Sequence, residues 1–186
     1  MDRILTVEQM TFCEHEAEKY GVSLAQLMDN AAAQLAAVIA GNSSASSKIV
    51  LLIGKGNNGG DGLVAANLLV EQGFKPAVVL CCGEPDTELS SAAYARLDKS
   101  VEVLKAENAL SVIEGADVLV DCIFGTGFHG SLRENILPVF RACEKCEGMK
   151  IACDLPSGVN ARNGQADKLS FKADLTVTFH RGKLGL

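Results

Sequence analysis

The sequence predicts a doubly wound α/β domain, a mostly parallel sheet with helices on both faces and two further helices in front. Two observations predict it: apolar runs of strand length recur along the chain, and segments of helical length separate them. The runs are IVLLI at 49–53, AVVLCC at 77–82, VEVL at 101–104, DVLVDCIF at 117–124, KIACD at 150–154 and DLTVTF at 174–179. They are continuously apolar rather than alternating, which requires burial on both faces, the condition of a parallel strand between helical layers. Segments 61–72, 87–98, 107–114 and 132–147 have the length and composition of the connecting helices.

The two front helices are marked by their ends. Thr6 with Gln9, and Ser23 with Gln26, have capping-box spacing, and Gly21 and Gly41 stand where helices stop. Val7, Met10, Cys13 and Ala17 form one apolar stripe; Leu24, Leu27, Met28, Ala31, Leu35 and Val38 form another. NSSASS at 42–47 reads as a surface turn. With no repeat, low-complexity tract or linker, residues 1–186 read as a single domain.

Composition narrows the partners. The chain is 48% apolar and 22% charged with a net charge of −6, no Trp and no Lys/Arg cluster, which argues against nucleic acid or an anionic membrane as the main partner. No apolar run approaches the roughly 18 residues of a membrane span, and a soluble chain is expected. The seven cysteines are odd in number and spread over apolar segments, so they read as reduced core thiols, with a cytoplasmic setting as the consequence. Cys143 and Cys146 form the one CxxC, in a helical segment without a second pair, and read as packing.

Sheets of this kind bind ligands beyond the carboxyl ends of their strands. Those positions read GKGNNGGDG, CCGEPD, DCIFGTGFHG and DLPSGVN. Gly54-x-Gly56-x-x-Gly59 satisfies the dinucleotide fingerprint between a strand and a helix, where glycines allow positive φ and backbone N–H groups approach a phosphate. The acidic residue that would hold a ribose at the end of the second strand is missing, since Cys81 and Cys82 stand there. Asn57, Asn58 and Asp61 add amides and a carboxylate to the turn, with turn formation for the asparagines and N-capping for Asp61 as the plainer alternatives. Lys55 reads as a solvated lysine or an anion-steering one.

Asp121 lies among Leu119, Val120, Cys122, Ile123 and Phe124. A carboxylate there must be hydrogen bonded, bound to a cation or shifted in pKa. Asp154 has a similar place before Pro156 and Ser157; both aspartates have a capping role as the alternative. Asn58, Asp121 and Ser157 offer oxygen donors, which suit a hard cation among Mg²⁺, Na⁺ and K⁺ rather than zinc. His15 and His180 lie apart from these loops, and His129 lies on the rim.

On LMDNAA (27–32), GKGNNGGDGLVAANLL (54–69), VDCIFGTGFHG (120–130), CDLPSGVNARNG (153–164) and ADLTVTFHRGKLGL (173–186), the chain resembles the NAD(P)H-hydrate epimerases, the YjeF N-terminal domain family. The resemblance implies a Rossmann-like three-layer αβα sandwich. It implies an isomerase that interconverts the R and S epimers at C6 of NADHX and NADPHX, hydrated cofactors returned to use by metabolite repair. It implies substrate contacts at Asn57, Asn58, Gly59, Gly60 and Asp61, at Gly125, Thr126, Gly127, Phe128, His129, Gly130 and Ser131, and at Asp154. A potassium ion would be held through Asn58, Asp121 and Ser157. Asp121 is the expected general acid and base at C6.

The resemblance also carries departures. Family members extend beyond the K-x-G-L motif into another strand, so this chain is expected to lack the last one. Bacterial relatives often fuse the domain to an ADP- or ATP-dependent hydrate dehydratase, an expected partner, and the front helices are the expected contact of a homodimer. MDNAA replaces the commoner pattern ending in Ala-Gly. The competing readings are a non-catalytic dinucleotide-binding or protein-interaction module and an NAD-dependent dehydrogenase. The latter is disfavoured by the missing ribose carboxylate and the lack of a hydride-transfer set.

Overall fold

The computed structural model describes residues 4–179, 181–183 and 185. Its centre is a six-stranded, wholly parallel sheet in the order β3-β2-β1-β4-β5-β6. The strands are β1 (Ile49–Ile53), β2 (Ala77–Leu80), β3 (Glu102–Lys105), β4 (Val118–Cys122), β5 (Met149–Cys153) and β6 (Leu175–Val177). The order reverses between β1 and β4, which pair in register Leu52 with Asp121 and Ile53 with Cys122. Loops leaving those two strands diverge to opposite faces and open a crevice between them.

Alternation along the buried strands divides the core into two layers. Ile49, Leu51 and Ile53 of β1, with Val118, Val120 and Cys122 of β4, pack on the layer that holds α2 (Leu24–Gly41), α3 (Asn57–Glu71) and α4 (Glu88–Ala95). Val50, Leu52 and Leu119 face α5 (Leu110–Glu114) and α6 (Leu137–Lys145) on the other side. This is the three-layer sandwich that the uninterrupted apolar runs demanded.

The first helix, α1 (Val7–Lys19), begins with a reciprocal capping box between Thr6 and Gln9. Ser23 caps α2 through the Gln26 N–H alone. Only Met10 of α1 is buried, and Cys13, read as a core thiol, is exposed together with Phe12 and Tyr20. The apolar stripe of α1 is too thin to seat the helix as deeply as α2, whose Ala32, Leu35, Ala36 and Ile39 are buried. The other six cysteines are buried or half-buried, and all seven are free thiols.

Two boundaries differ from expectation in ways that matter for the crevice. Strand β2 ends at Leu80, so Cys81 and Cys82 belong to the following turn. Helix α3 starts at Asn57 with Gly56 as its N-cap, so Asp61 lies inside the helix and does not cap it. Among the described residues no single helix is long and apolar enough to cross a membrane.

Candidate functional site

The glycine turn is built by contact rather than by unusual dihedrals. Gly54, Gly56, Gly59, Gly60 and Gly62 all have φ outside the left-handed region. A Cβ on Gly54 would lie 1.9 Å from the Ile123 carbonyl oxygen, and one on Gly59 would lie 2.1 Å from the Gly54 carbonyl oxygen. A Cβ on Gly60 would meet Met28 Cε at 2.5 Å, and on Gly62 the Ile53 side chain at 2.7 Å. The glycines let the N-terminus of α3 sink against β1, β4 and α2, and so aim its first N–H groups into the crevice. This corrects the expectation that they serve positive φ.

The crevice is an open cleft of about 960 Å³. Its floor and walls come from the α3 turn (Asn57, Asn58, Asp61), the loop after β4 (Ile123 to His129, then Ser131 to Arg133) and Asp154 beyond β5. Helices α1 and α2 close one side with Met10, Glu14, Leu24, Leu27, Met28 and Ala31. The two front helices thus form a wall of the cleft.

Within the turn, Asn57 Oδ1 accepts a 2.6 Å hydrogen bond from Thr87 Oγ1, which ties it to the capping box of α4. Asn58 Nδ2 is buried without a partner among the described residues. Its amide lies against Gly125, whose Cβ would sit 3.3 Å from Asn58 Oδ1. Lys55 pairs with Asp86 at 3.5 Å on the exposed rim, a contact that contributes little in water. His129 is exposed, with Nδ1 3.0 Å from the Gly127 carbonyl, and Phe124 stacks on Phe128 at a centroid distance of 5.4 Å.

Asp121 lies beneath this wall rather than in it. It is fully buried; Oδ1 accepts from Ser157 Oγ at 2.7 Å and Ile123 N at 3.1 Å, and Oδ2 accepts from Ser157 N at 2.7 Å. Burial pushes its carboxyl up to about 6, against the three bonds that favour the anion. Ser157 Oγ in turn accepts the Phe124 N–H at 2.8 Å, so one aspartate and one serine fasten the loops after β4 and β5 together. Ser157→Ala, which leaves Asp121 and the Phe124 N–H short of partners, is expected to cost about 1–3 kcal/mol of stability. Urea unfolding checks it, and an unchanged midpoint would contradict the fastening role.

Asp61 and Asp154 line the cleft, together with the carboxyls of Glu14 and Asp86. Asp154 is the one non-glycine with positive φ among the described residues, at 65°. Its Oδ1 forms a buried ion pair with Lys183 Nζ, which also donates to Thr178 Oγ1 at 2.6 Å and to the Phe179 carbonyl at 3.0 Å. Asp61 is half-buried, and its pKa stands well above the ordinary carboxylate value. Burial is the main cause; the anions of Asp154 and Glu14 add to it.

Residues 24–185 match the family described as YjeF-related protein N-terminus. The chain belongs to this family. It is 33% identical to the NAD(P)H-hydrate epimerase of Cenarchaeum symbiosum, over 98% of this chain and 87% of that protein. It is 34% identical to the bifunctional NAD(P)H-hydrate repair enzyme Nnr of Hyperthermus butylicus, over all of this chain and 36% of that protein. The chain therefore spans about a third of the bifunctional relative's length. The crystal structure of the yeast protein YNL200c superposes with a TM-score of 0.85 at 25% identity, covering 98% of this chain and 82% of that one.

Of the residues that the family resemblance singled out, Asn57, Asn58, Asp61, Gly125 to His129, Ser131 and Asp154 line the cleft together. Gly59 and Gly60 are buried behind it; Gly130, at φ 81°, turns the loop. Asp121 and Ser157 sit below the lining. Sequence reasoning assigned no role to Lys183, although it falls in the family's K-x-G-L motif, and none to Arg133 or Glu14; Met28, read as part of an apolar stripe, also lines the wall. A polar residue on an amphipathic front helix, such as Glu14, carries no local signal that it faces a ligand.

Proposed function

We propose that this protein is an NAD(P)H-hydrate epimerase domain, an isomerase acting at C6 of NADHX and NADPHX. The observation that carries this reading is the meeting, in one cleft at the reversal of the sheet, of a helix N-terminus suited to a diphosphate with the side chains of Asp61 and Asp154. The hydroxyl on C6 lies beside the ring nitrogen, and its configuration is scrambled by loss and regain of that oxygen. Such a reaction needs a proton delivered to the departing hydroxyl and recovered from the water that returns. Asp61, in the wall and with its pKa raised by burial, supplies the proton better than Asp121, which is enclosed beneath.

The donors implied for potassium fit a hard monovalent cation. Asn58 has an unpartnered buried amide and lies against Gly125; Ser157 bonds Phe124, the residue before it; Asp121 bonds Ser157. Amide, carboxylate and hydroxyl thus gather around one loop, and turning the Asn58 amide over presents oxygen where the orphaned N–H now is. A bound cation would supply fixed positive charge to the cleft floor. Asn58→Ala is expected to abolish the rise in thermal midpoint that potassium gives over choline; an undiminished rise would remove Asn58 from the ion's ligands.

The reading is tested by incubating the protein with R-NADHX and following S-NADHX by chromatography, with NADP⁺-induced thermal shift as the binding control. Conversion is expected. Binding without conversion would favour a nucleotide-sensing module and end the enzymatic reading. By analogy with the bifunctional relatives, a nucleotide-dependent dehydratase is the partner that consumes the product, in a reducing cytoplasmic setting that suits seven free thiols.

A further inference from the structure

Lys183 is the one described lysine that is fully enclosed, with 2% of its surface exposed. An ammonium taken so far out of water persists only where its donors are met, and here they are met by a carboxylate, a hydroxyl and a carbonyl. Among the described residues the hydrogen bonds of the Asp154 carboxylate, from Lys183 and from Thr178 at 3.5 Å, go to Oδ1. Oδ2 therefore carries no hydrogen bond among the described residues, and Asp154 lines the cleft.

The backbone repeats this arrangement. Asp154 leaves β5 at φ 65°, a conformation that turns the chain sharply at the strand end and that an L-residue holds only when its surroundings fix it. Its N–H bonds the Val177 carbonyl at 2.8 Å, at the end of β6. Lys183 is itself fixed by a parallel bridge to Leu5, and the Leu5 N–H bonds the Gly182 carbonyl at 3.1 Å. The segment before α1 thus clamps the segment after β6, which in turn delivers the ammonium to Asp154.

We infer that Lys183 is a positioning residue of the active site: through Oδ1 it holds the Asp154 carboxylate so that Oδ2 is presented to the substrate. The inference rests on the epimerase reading and adds to it. Asp61 donates its proton to the C6 hydroxyl, the C6–O bond breaks and water leaves, with the ring nitrogen's lone pair forming a C6–N double bond. The Asp154 carboxylate stabilises that cation from a fixed position. Water then adds to the opposite face, a C6–O bond forms, and the proton returns to Asp61, so nothing is consumed. Lys183 touches no substrate atom and acts through Asp154 alone.

The test is a double-mutant cycle on NADHX epimerisation with Asp154→Asn, Lys183→Met and the pair together, alongside Lys183→Arg. Lys183→Met is expected to lower kcat by about 10²-fold, with a smaller change in KM, as loss of orientation at a reacting centre does. In the double variant the loss should not exceed that of Asp154→Asn, because the residue that Lys183 orients is already disabled. The double variant should also melt above Lys183→Met, since no carboxylate is then left buried and unpaired. Lys183→Arg should recover part of the kcat. Losses that multiply, with wild-type turnover present, would overturn the inference alone and make Lys183 an independent structural residue. Absence of turnover in the wild type would overturn the inference and the epimerase reading together.

Discussion

Asp61→Asn is expected to lower kcat for NADHX epimerisation by about 10²–10⁴-fold while leaving NADP⁺ binding and the fold in place. The amide keeps the shape of the carboxyl and withholds its transferable proton. The groups facing Asp61 are Asp154 beyond β5, Glu14 of α1 and the Cys122 and Cys153 thiols of the strands beneath. The two anions add to burial in keeping the carboxyl protonated. The sign for catalysis follows: the donor is present below the raised pKa and lost as pH climbs through it, so wild-type kcat should fall on the alkaline side and the residual activity of Asp61→Asn should not follow that limb. Stability responds in the same direction. Above the ordinary carboxylate value the unfolded chain releases this proton while the folded chain retains it, so wild-type stability declines with rising pH until the raised value is passed. Asp61→Asn removes that decline. Thermal midpoints of both proteins across pH, read beside kcat, check the assignment. Wild-type-like turnover in Asp61→Asn would transfer the acid role to another group.

The residues expected from the sequence and those proposed here part company at Asp121 and Lys183, for a reason that lies in pleat and topology. Asp121 has the stronger local signal, a carboxylate inside an apolar strand end. Yet successive strand residues face opposite layers. Cys122 packs toward α3, which carries Asp61, whereas Asp121 turns to the other layer, where it meets Ser157. The motif shows the charge; only the sheet shows which side of the strand it occupies. Lys183 has the weaker signal, one lysine near the end of the chain. Its role depends on β6 running parallel to β5 and on Leu5 pairing with it, contacts that no window of sequence contains. The central strands β1 and β4 were legible because each is buried along its whole length and nearly every residue is apolar, whereas β3 and β6, read from the same kind of run, lie at the sheet's edges and are largely exposed or half-buried. The start of α3 was not. Glycines and asparagines have poor helix propensity, and here the close approach to β1 and α2 overrides it.

Gly54→Ala and Gly59→Ala are expected to be the most damaging single-atom-scale changes in the molecule. The added methyl would meet a backbone carbonyl oxygen at 1.9 Å in the first case and 2.1 Å in the second. A flexible side chain could swing away from such a contact; a carbonyl in a strand or its exit turn moves only with its strand. Overpacking of this kind should cost about 3 kcal/mol or more, at or beyond the upper end for small-to-large changes in a packed core. Gly56→Ala separates this account from one in which the motif needs bare backbone throughout. Gly56 has φ −83° and open space where its Cβ would go, so its replacement should cost no more than the roughly 1 kcal/mol that separates good from poor N-cap residues. Denaturant midpoints for the three variants decide between the accounts. If Gly56→Ala is as destabilising as the other two, the turn's glycines are not there for helix-to-strand packing. If Gly54→Ala and Gly59→Ala unfold far more readily and Gly56→Ala does not, the fingerprint is first a packing device, and its capacity to meet a diphosphate follows from how deeply that packing lets the helix end sit.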